Sequence, residues 1–284
     1  MPGSKKEERR AFLDEKKREI GERAMMSYPS SSELEVREVE AFARLFDVLD
    51  GPIVIRHPHA DLRLELNALL GPRISYLIAI GDYELTDLEL IAEHVKKGDR
   101  VIELGGGAGL TAALSAKTSG HAVVVVEPDE RLFSLIRRQV ELNGGTVSFE
   151  HGAVLGEDGA SGVRSAAERT IDFYLDEEIW FSSMKEEVLA HGERQRIKVT
   201  VPVLSADALF AKHTPTVAMI DVEGSEREIF AKPLTDATKP RLLLIEIHFP
   251  HYGERTGAEV IQSVLDQGYR LIDQKGWTYV FARR

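Results

Sequence analysis

Two short segments carry the residues best able to move a proton. Met219-Ile220-Asp221-Val222-Glu223-Gly224-Ser225-Glu226 sets two acids one residue apart, and Leu242-Leu243-Leu244-Ile245-Glu246-Ile247-His248 does the same with an acid and an imidazole. Each segment runs apolar and then turns polar, as a buried strand does on reaching the carboxyl edge of an open α/β sheet, where such sheets bind ligands. Period-two alternation pairs Asp221 with Glu223 and Glu246 with His248. If the two strands are neighbours, three carboxylates and an imidazole converge. Crowded carboxylates raise one another's pKa and can hold an imidazole oriented or protonated. Such a group could take a proton from a hydroxyl, an amine or a carboxylic acid. His248, with an ordinary pKa near 6.5, is the first choice of base, with Glu223 and Asp221 next. The rate is then expected to climb with pH through roughly 6.5–8. No metal is expected, because hard cations gather more oxygen ligands than this and a lone His does not select them. Taken singly, each residue has a plainer use, such as Glu223 capping a helix or His248 meeting a loop carbonyl. Only their convergence points to chemistry.

A second constellation lies upstream. Val101-Ile102-Glu103-Leu104-Gly105-Gly106-Gly107-Ala108-Gly109 reads as strand and glycine turn, and the helical pattern from Leu110 to Lys117 follows directly. Glycines let a ligand approach the backbone, and a helix N-terminus offers unpaired N–H groups. Glu103 before the turn would repel a pyrophosphate and welcome the ammonium of a methionine-derived ligand. The third small residue of the dinucleotide fingerprint would fall at Leu110, which is not small. The spacing favours S-adenosylmethionine over NAD. His121-Ala122-Val123-Val124-Val125-Val126-Glu127 then reads as a buried strand ending in an acid about 20 residues beyond the glycine corner, the place of a ribose-binding carboxylate. Pro128 and Asp129 open a helix that runs through Leu142 and closes at Asn143-Gly144.

The elements that must position these residues follow from alternation. Strands are expected at 101–104, 122–127, 146–150, 216–221 and 241–248, with a closing hairpin at 269–273 and 277–282 and a helix at 257–267. The fold class is therefore α/β: a doubly wound, mostly parallel, Rossmann-like seven-stranded sheet with a C-terminal antiparallel hairpin. An N-terminal helical and β extension, residues 1–80, precedes a cofactor-binding domain at 81–284. Within the extension, 34–49 looks helical, and 53–57 and 62–66 look like short strands about a turn. Thr86 to Val95 leads into the core as a helix. Residues 4–27 alternate charge clusters and read as a solvated helix or as an arm that packs on a second subunit.

Composition narrows the class. In 284 residues there is no cysteine, which excludes disulfides, thiolate metal sites and a cysteine nucleophile. No apolar run approaches membrane-spanning length and no signal peptide is visible, so a cytoplasmic protein without a membrane partner is expected. A net charge of −11 leans against nucleic acid as a partner.

The motifs also resemble a known family. Asp221-Val222-Glu223-Gly224-Ser225-Glu226 followed by Glu246-Ile247-His248 is similar to the signature of FkbM-type S-adenosylmethionine-dependent methyltransferases. Gly81-Asp82-Tyr83-Glu84 resembles their Tyr-Glu element, and Val201 to Leu209 resembles the segment before their Asp-x-Glu-Gly strand. Glu103, Gly106 and Gly107 stand where the family more often has Asp, Ala and Asn. The resemblance implies that Glu84, Glu103, Gly105, Gly107, Glu127 and Ala153 line the cofactor site, with Glu103 on the methionine ammonium, Glu127 on the ribose and Ala153 against the adenine. It also implies a loop near the acceptor at Phe173–Ser183, with Trp180, Ser182 and Ser183 as substrate contacts.

The expected function is methyl transfer from S-adenosyl-L-methionine to a small-molecule or sugar-like acceptor, at oxygen, helped by the carboxylate and imidazole group. N-methylation or methylation of a peptide carboxylate would suit the same fold. A nicotinamide oxidoreductase is disfavoured by Leu110 and the closing hairpin, and a non-catalytic cofactor-binding partner protein by the crowded acids. Homo-oligomers through the N-terminal arm are a further expectation.

Overall fold

The central strands owe their places to alternation of apolar side chains. In the computed structural model, which describes residues 37–44, 51–155, 169–175 and 197–284, β3 (Val101–Leu104), β9 (Val217–Ile220) and β10 (Leu242–Glu246) lie side by side and parallel. Val101, Val217, Met219, Leu242 and Leu244 face one core; Ile102, Leu104, Ala218, Ile220, Leu243 and Ile245 face the other. A strand buried on both faces reads as the continuous apolar run seen in the sequence.

Strands β4 (Val123–Glu127) and β5 (Val147–His151) extend the sheet in parallel on one side. On the other side β12 (Thr278–Arg283) pairs antiparallel with β10, and β11 (Tyr269–Lys275) pairs antiparallel with β12. The order is β11-β12-β10-β9-β3-β4-β5, a seven-stranded, mostly parallel sheet closed by an antiparallel hairpin, as expected. Helices α1 (Gly71–Ile80), α2 (Leu85–His94), α3 (Leu110–Ser119) and α4 (Phe133–Leu142) cover the first core. Helices α5 (Ala206–His213), α6 (Glu226–Ile229) and α7 (Phe249–Asp266) cover the second.

Ahead of the sheet, β1 (Ile53–Arg56) and β2 (Arg63–Leu66) form an antiparallel hairpin. Leu64 and Leu66 are fully buried in the first core beside Ile74 and Ile78 of α1. The free edge of β2 is satisfied by side-chain amides of α4. Gln139 accepts from Glu65 N at 2.8 Å and donates to Glu65 O at 2.8 Å, and Asn143 does the same for Arg63. Backbone groups on a strand edge need partners, and two amide side chains here stand in for a third strand.

Three features depart from expectation. Helix α7 begins at Phe249, not at 257; Pro250 falls in its first turn, where a missing N–H is harmless, and Gly253 marks a kink of non-helical backbone. Helix α1, opened by Gly71-Pro72 and closed by left-handed Gly81, lies where the sequence suggested only a lead-in. A second sheet, β6-β8-β7, was not expected. In it β8 (Ile197–Ser205) pairs in parallel with β6 (Ala153–Leu155) and antiparallel with β7 (Thr170–Leu175) around a small core of its own. Phe173, Tyr174 and Leu175 therefore belong to a strand and not to an acceptor loop. The charged arm at 4–27 and the outer parts of the 34–49 helix lie outside the described residues; 37–44 is helical.

Candidate active site

Sheet order brings the two constellations of the sequence together. Because β3 lies between β4 and β9, the glycine turn after β3 sits between Glu127 and Asp221. Gly105 N–H donates to Val126 O at 2.9 Å, and Asp221 N–H donates to Leu104 O at 2.9 Å. Gly105 has left-handed backbone (φ 92°), and a Cβ there would lie 1.8 Å from the carbonyl oxygen of Asp221. No other residue fits. A Cβ on Gly106 would come within 2.7 Å of the ends of the Ile136 and Val125 side chains, which would have to give way.

Around this corner opens a cleft. Gly105, Gly107, Glu84 and Tyr83 form one end; Glu127, Pro128, Leu132, Ala153, Val154 and Phe173 form a largely apolar wall; Asp221 and Glu223 border the rest. Glu127 is buried at the end of β4 and is held by backbone N–H donors, Gly106 at 2.9 Å and Asp129 at 2.8 Å. Burial raises it to about 7 against those donors. Glu103 does not line the cleft; it is buried at the base of the turn, accepts from Thr111 Oγ1 at 2.7 Å, and leaves Oε2 without a hydrogen-bond partner. Burial, offset by Thr111 and reinforced by Asp221, pushes it up to about 8. Glu84 also has an unpartnered buried oxygen, and burial together with Asp87 and Asp221 raises its pKa strongly. A crevice with orphaned carboxylate oxygens, a bare glycine turn and an apolar wall fits a cationic ligand that carries an adenosine.

The second half of the site is built from side chains brought in by different elements. His248 ends the β10 segment and is 5% exposed. Its Nε2 lies 3.3 Å from Glu223, 3.5 Å from Asp221 and 3.9 Å from Glu246. The expected convergence is observed, though by a different route for Glu223. Strand β9 stops at Ile220, and Glu223 enters the cluster through a left-handed turn (φ 50°), not through strand alternation. Glu84 has the same conformation (φ 53°). Two non-glycine residues thus carry backbone strain at one cleft, a frequent mark of function.

Electrostatics follow from this crowding. Desolvation and the neighbouring Asp221 push Glu223 up to about 8, and Glu246 is pushed up to about 9 by the same causes. Burial alone would depress the imidazole of His248. The Glu226 hydrogen bond and the Glu223 and Asp221 charges outweigh it and push the ring up to about 10. At neutral pH His248 is therefore a cation, while Glu223 and Glu246 hold their protons. Asp221, Glu223 and His248 each offer an atom within 4.8 Å of the others, a spacing a cation could also bridge.

Glu84, Gly105, Gly107, Glu127 and Ala153 line the cleft, Asp221 and Glu223 border it, and Glu246 and His248 join them through His248. Trp180, Ser182 and Ser183 lie outside the described residues. Sequence reasoning assigned no role to three neighbours. Asp87 is buried and accepts from Thr278 Oγ1 at 2.6 Å. Tyr83, in the motif but unassigned, shares a hydrogen bond with Glu84. Glu226 meets His248 Nδ1 at 2.7 Å.

Comparison with known proteins agrees with this geometry. The methyltransferase FkbM domain matches residues 103–271. Ribosomal protein L11 methyltransferase of Thermotoga neapolitana is 25% identical over 88 residues, 31% of this chain and 33% of that protein, so the chain spans about a third of the curated relatives it matches. Fibrillarin of Aeropyrum pernix with natively bound S-adenosyl-L-methionine has 13% identity over 70% of this chain and 74% of that one, with a TM-score of 0.38. The tRNA (uracil-54, C5)-methyltransferase of Pyrococcus abyssi has 14% identity over 81% and 43%, with a TM-score of 0.40. The family match covers more than half of the chain, whereas the structural likenesses are faint.

Proposed function

The chain belongs to the FkbM family of S-adenosylmethionine-dependent methyltransferases, and from that premise we propose that its cleft methylates a hydroxyl of a small-molecule or sugar-like acceptor. The observation that carries this reading is the contact between its two halves: the glycine corner touches the backbone of Asp221, so a cofactor seated on the corner lies beside the carboxylate and imidazole cluster.

In this proposal Glu127 takes the ribose hydroxyls, Ala153 and Phe173 flank the adenine, and Glu84 offers its unpartnered oxygen to the amino-acid end, with Glu103 behind it at the base of the turn. S-adenosylmethionine supplies an already activated methyl group. The protein's task is then to align the acceptor oxygen and to take its proton. His248 keeps its place in the cluster, but its work changes. Held as a cation, it is a fixed positive partner, and Glu223, raised to about 8, is the group that accepts the proton. The rate should rise with pH and level off above about 8.

The test is a panel of hydroxyl, amine and carboxylic acid acceptors with methyl-labelled cofactor, run with and without a chelator. Label should pass to hydroxyl acceptors and survive chelation, and Glu223→Gln should lower kcat by about 10²–10⁴. Transfer to amines or carboxylic acids alone would replace the hydroxyl assignment. Loss on chelation, restored by one divalent ion, would make the cluster a metal site.

A further inference from the structure

Glu226 opens the four-residue helix α6 and is completely buried. It does not line the cleft. Its Oε1 meets His248 Nδ1 at 2.7 Å and accepts Gly224 N–H at 3.1 Å, so one oxygen ties the imidazole to the turn that carries Glu223. The groups facing the ring come from every element around it: Glu226 from α6, Asp221 and Glu223 from the loop after β9, Glu246 from β10, and Asp87 from α2. Glu226 engages Nδ1, whereas Asp221, Glu223 and Glu246 lie on the Nε2 side.

We propose that Glu226 is a positioning residue that fixes the His248 ring with Nδ1–H turned inward and Nε2 presented to the cleft carboxylates. An imidazole has two distinct nitrogens, and the partner of one decides what the other can do. Without an inward acceptor, ring rotation would exchange a nitrogen for a carbon at the cleft face. Glu226 also adds negative charge where no solvent can screen it, so it holds the ring cationic. The same bond to Gly224 fixes the left-handed turn at Glu223, so ring and carboxylate are set by one group. The inference rests on the proposed proton-handling role of the cluster, but the bond itself can be tested without an acceptor.

The experiment is a pH titration of the His248 side chain by long-range ¹H–¹⁵N NMR in the wild type, Glu226→Gln and Glu226→Asp, with His248→Gln for assignment. Calorimetry with S-adenosylhomocysteine on each protein serves as the control. In the wild type, both ring nitrogens should remain protonated from pH 6 to 8. Glu226→Gln should lower the His248 midpoint by about one unit or more and leave S-adenosylhomocysteine affinity within about twofold. Glu226→Asp should restore part of the shift. An unchanged midpoint in Glu226→Gln would overturn the proposal. So would a loss of S-adenosylhomocysteine affinity and thermal stability without a change in the ring, which would make Glu226 a residue of the fold alone. Failure of the functional reading is seen separately, as a wild type that does not bind S-adenosylhomocysteine while His248 still responds to Glu226.

Discussion

The two halves of the cleft are held by different means. On the cofactor side, Glu127 is fixed by backbone N–H groups of the glycine turn and of Asp129, all within one β-α-β stretch. On the other side, His248 is fixed by side chains drawn from α6, β10 and the loop after β9, and Glu223 reaches it only by way of a left-handed backbone. Backbone donors keep their direction and charge at any pH, whereas a cluster of titratable side chains has a pH-dependent charge and geometry. The first half is suited to a constant ligand, and the second to a step in which a proton changes place.

The sharpest way to break this division is at the point where the halves touch. Gly105→Ala would place a methyl group 1.8 Å from the Asp221 carbonyl, in a left-handed conformation alanine resists. The backbone must shift, and both halves should suffer. We expect a stability loss of about 3–5 kcal/mol, read as the thermal or denaturant midpoint, together with loss of S-adenosylhomocysteine binding. A variant that unfolds and binds as the wild type does would show that the contact is dispensable.

A smaller effect is set by pH and is shared by both halves. Glu103, Glu223 and Glu246 are held at about 8, 8 and 9, above their ordinary value near 4.5, and His248 at about 10, above 6.5. A group whose pKa is raised by folding lends stability that is complete below its unfolded pKa and lost as pH rises through the folded one. The cofactor-free protein should therefore lose stability as pH rises from about 4.5 to about 10. Glu246→Gln should flatten the upper part of that decline, because it removes one of the groups that must ionise there. A profile rising over the same range would contradict the assignment of charge in the cluster.

The same contrast explains what could be read from the chain. Val101–Leu104 matches its expected strand residue for residue, and the glycine turn and Glu127 follow from local order, because a β-α-β unit writes its geometry into consecutive residues. Asp221, Glu223, Glu246 and His248 were legible as a cluster because their two strands are direct neighbours, although Glu223 arrives by a left-handed turn and not by the alternation that paired it with Asp221. Glu226 was not, since nothing local says that a residue opening a four-residue helix turns inward to a histidine 22 positions away. The β6-β8-β7 sheet escaped for a related reason. Ile171, Phe173 and Leu175 do alternate buried with half-buried neighbours, but Thr170–Leu175 finds its partner only at Ile197–Ser205. Pairing across such a span leaves little trace in either strand alone. Gln139 and Asn143 were likewise silent, because an amide serving as the edge of a strand looks, in sequence, like any polar residue on a helix.

Calorimetric titration of S-adenosylhomocysteine into the wild type, Glu127→Ala and His248→Ala tests the division of labour most directly. The wild type should bind, with NAD and NADP inert. Glu127→Ala should weaken binding by about 1–3 kcal/mol, the cost of ribose hydroxyls buried without a partner, while His248→Ala should bind within about twofold of wild type. Equal losses in the two variants would mean that the cleft is one undivided site, and NAD binding without a response to S-adenosylhomocysteine would contradict the account altogether.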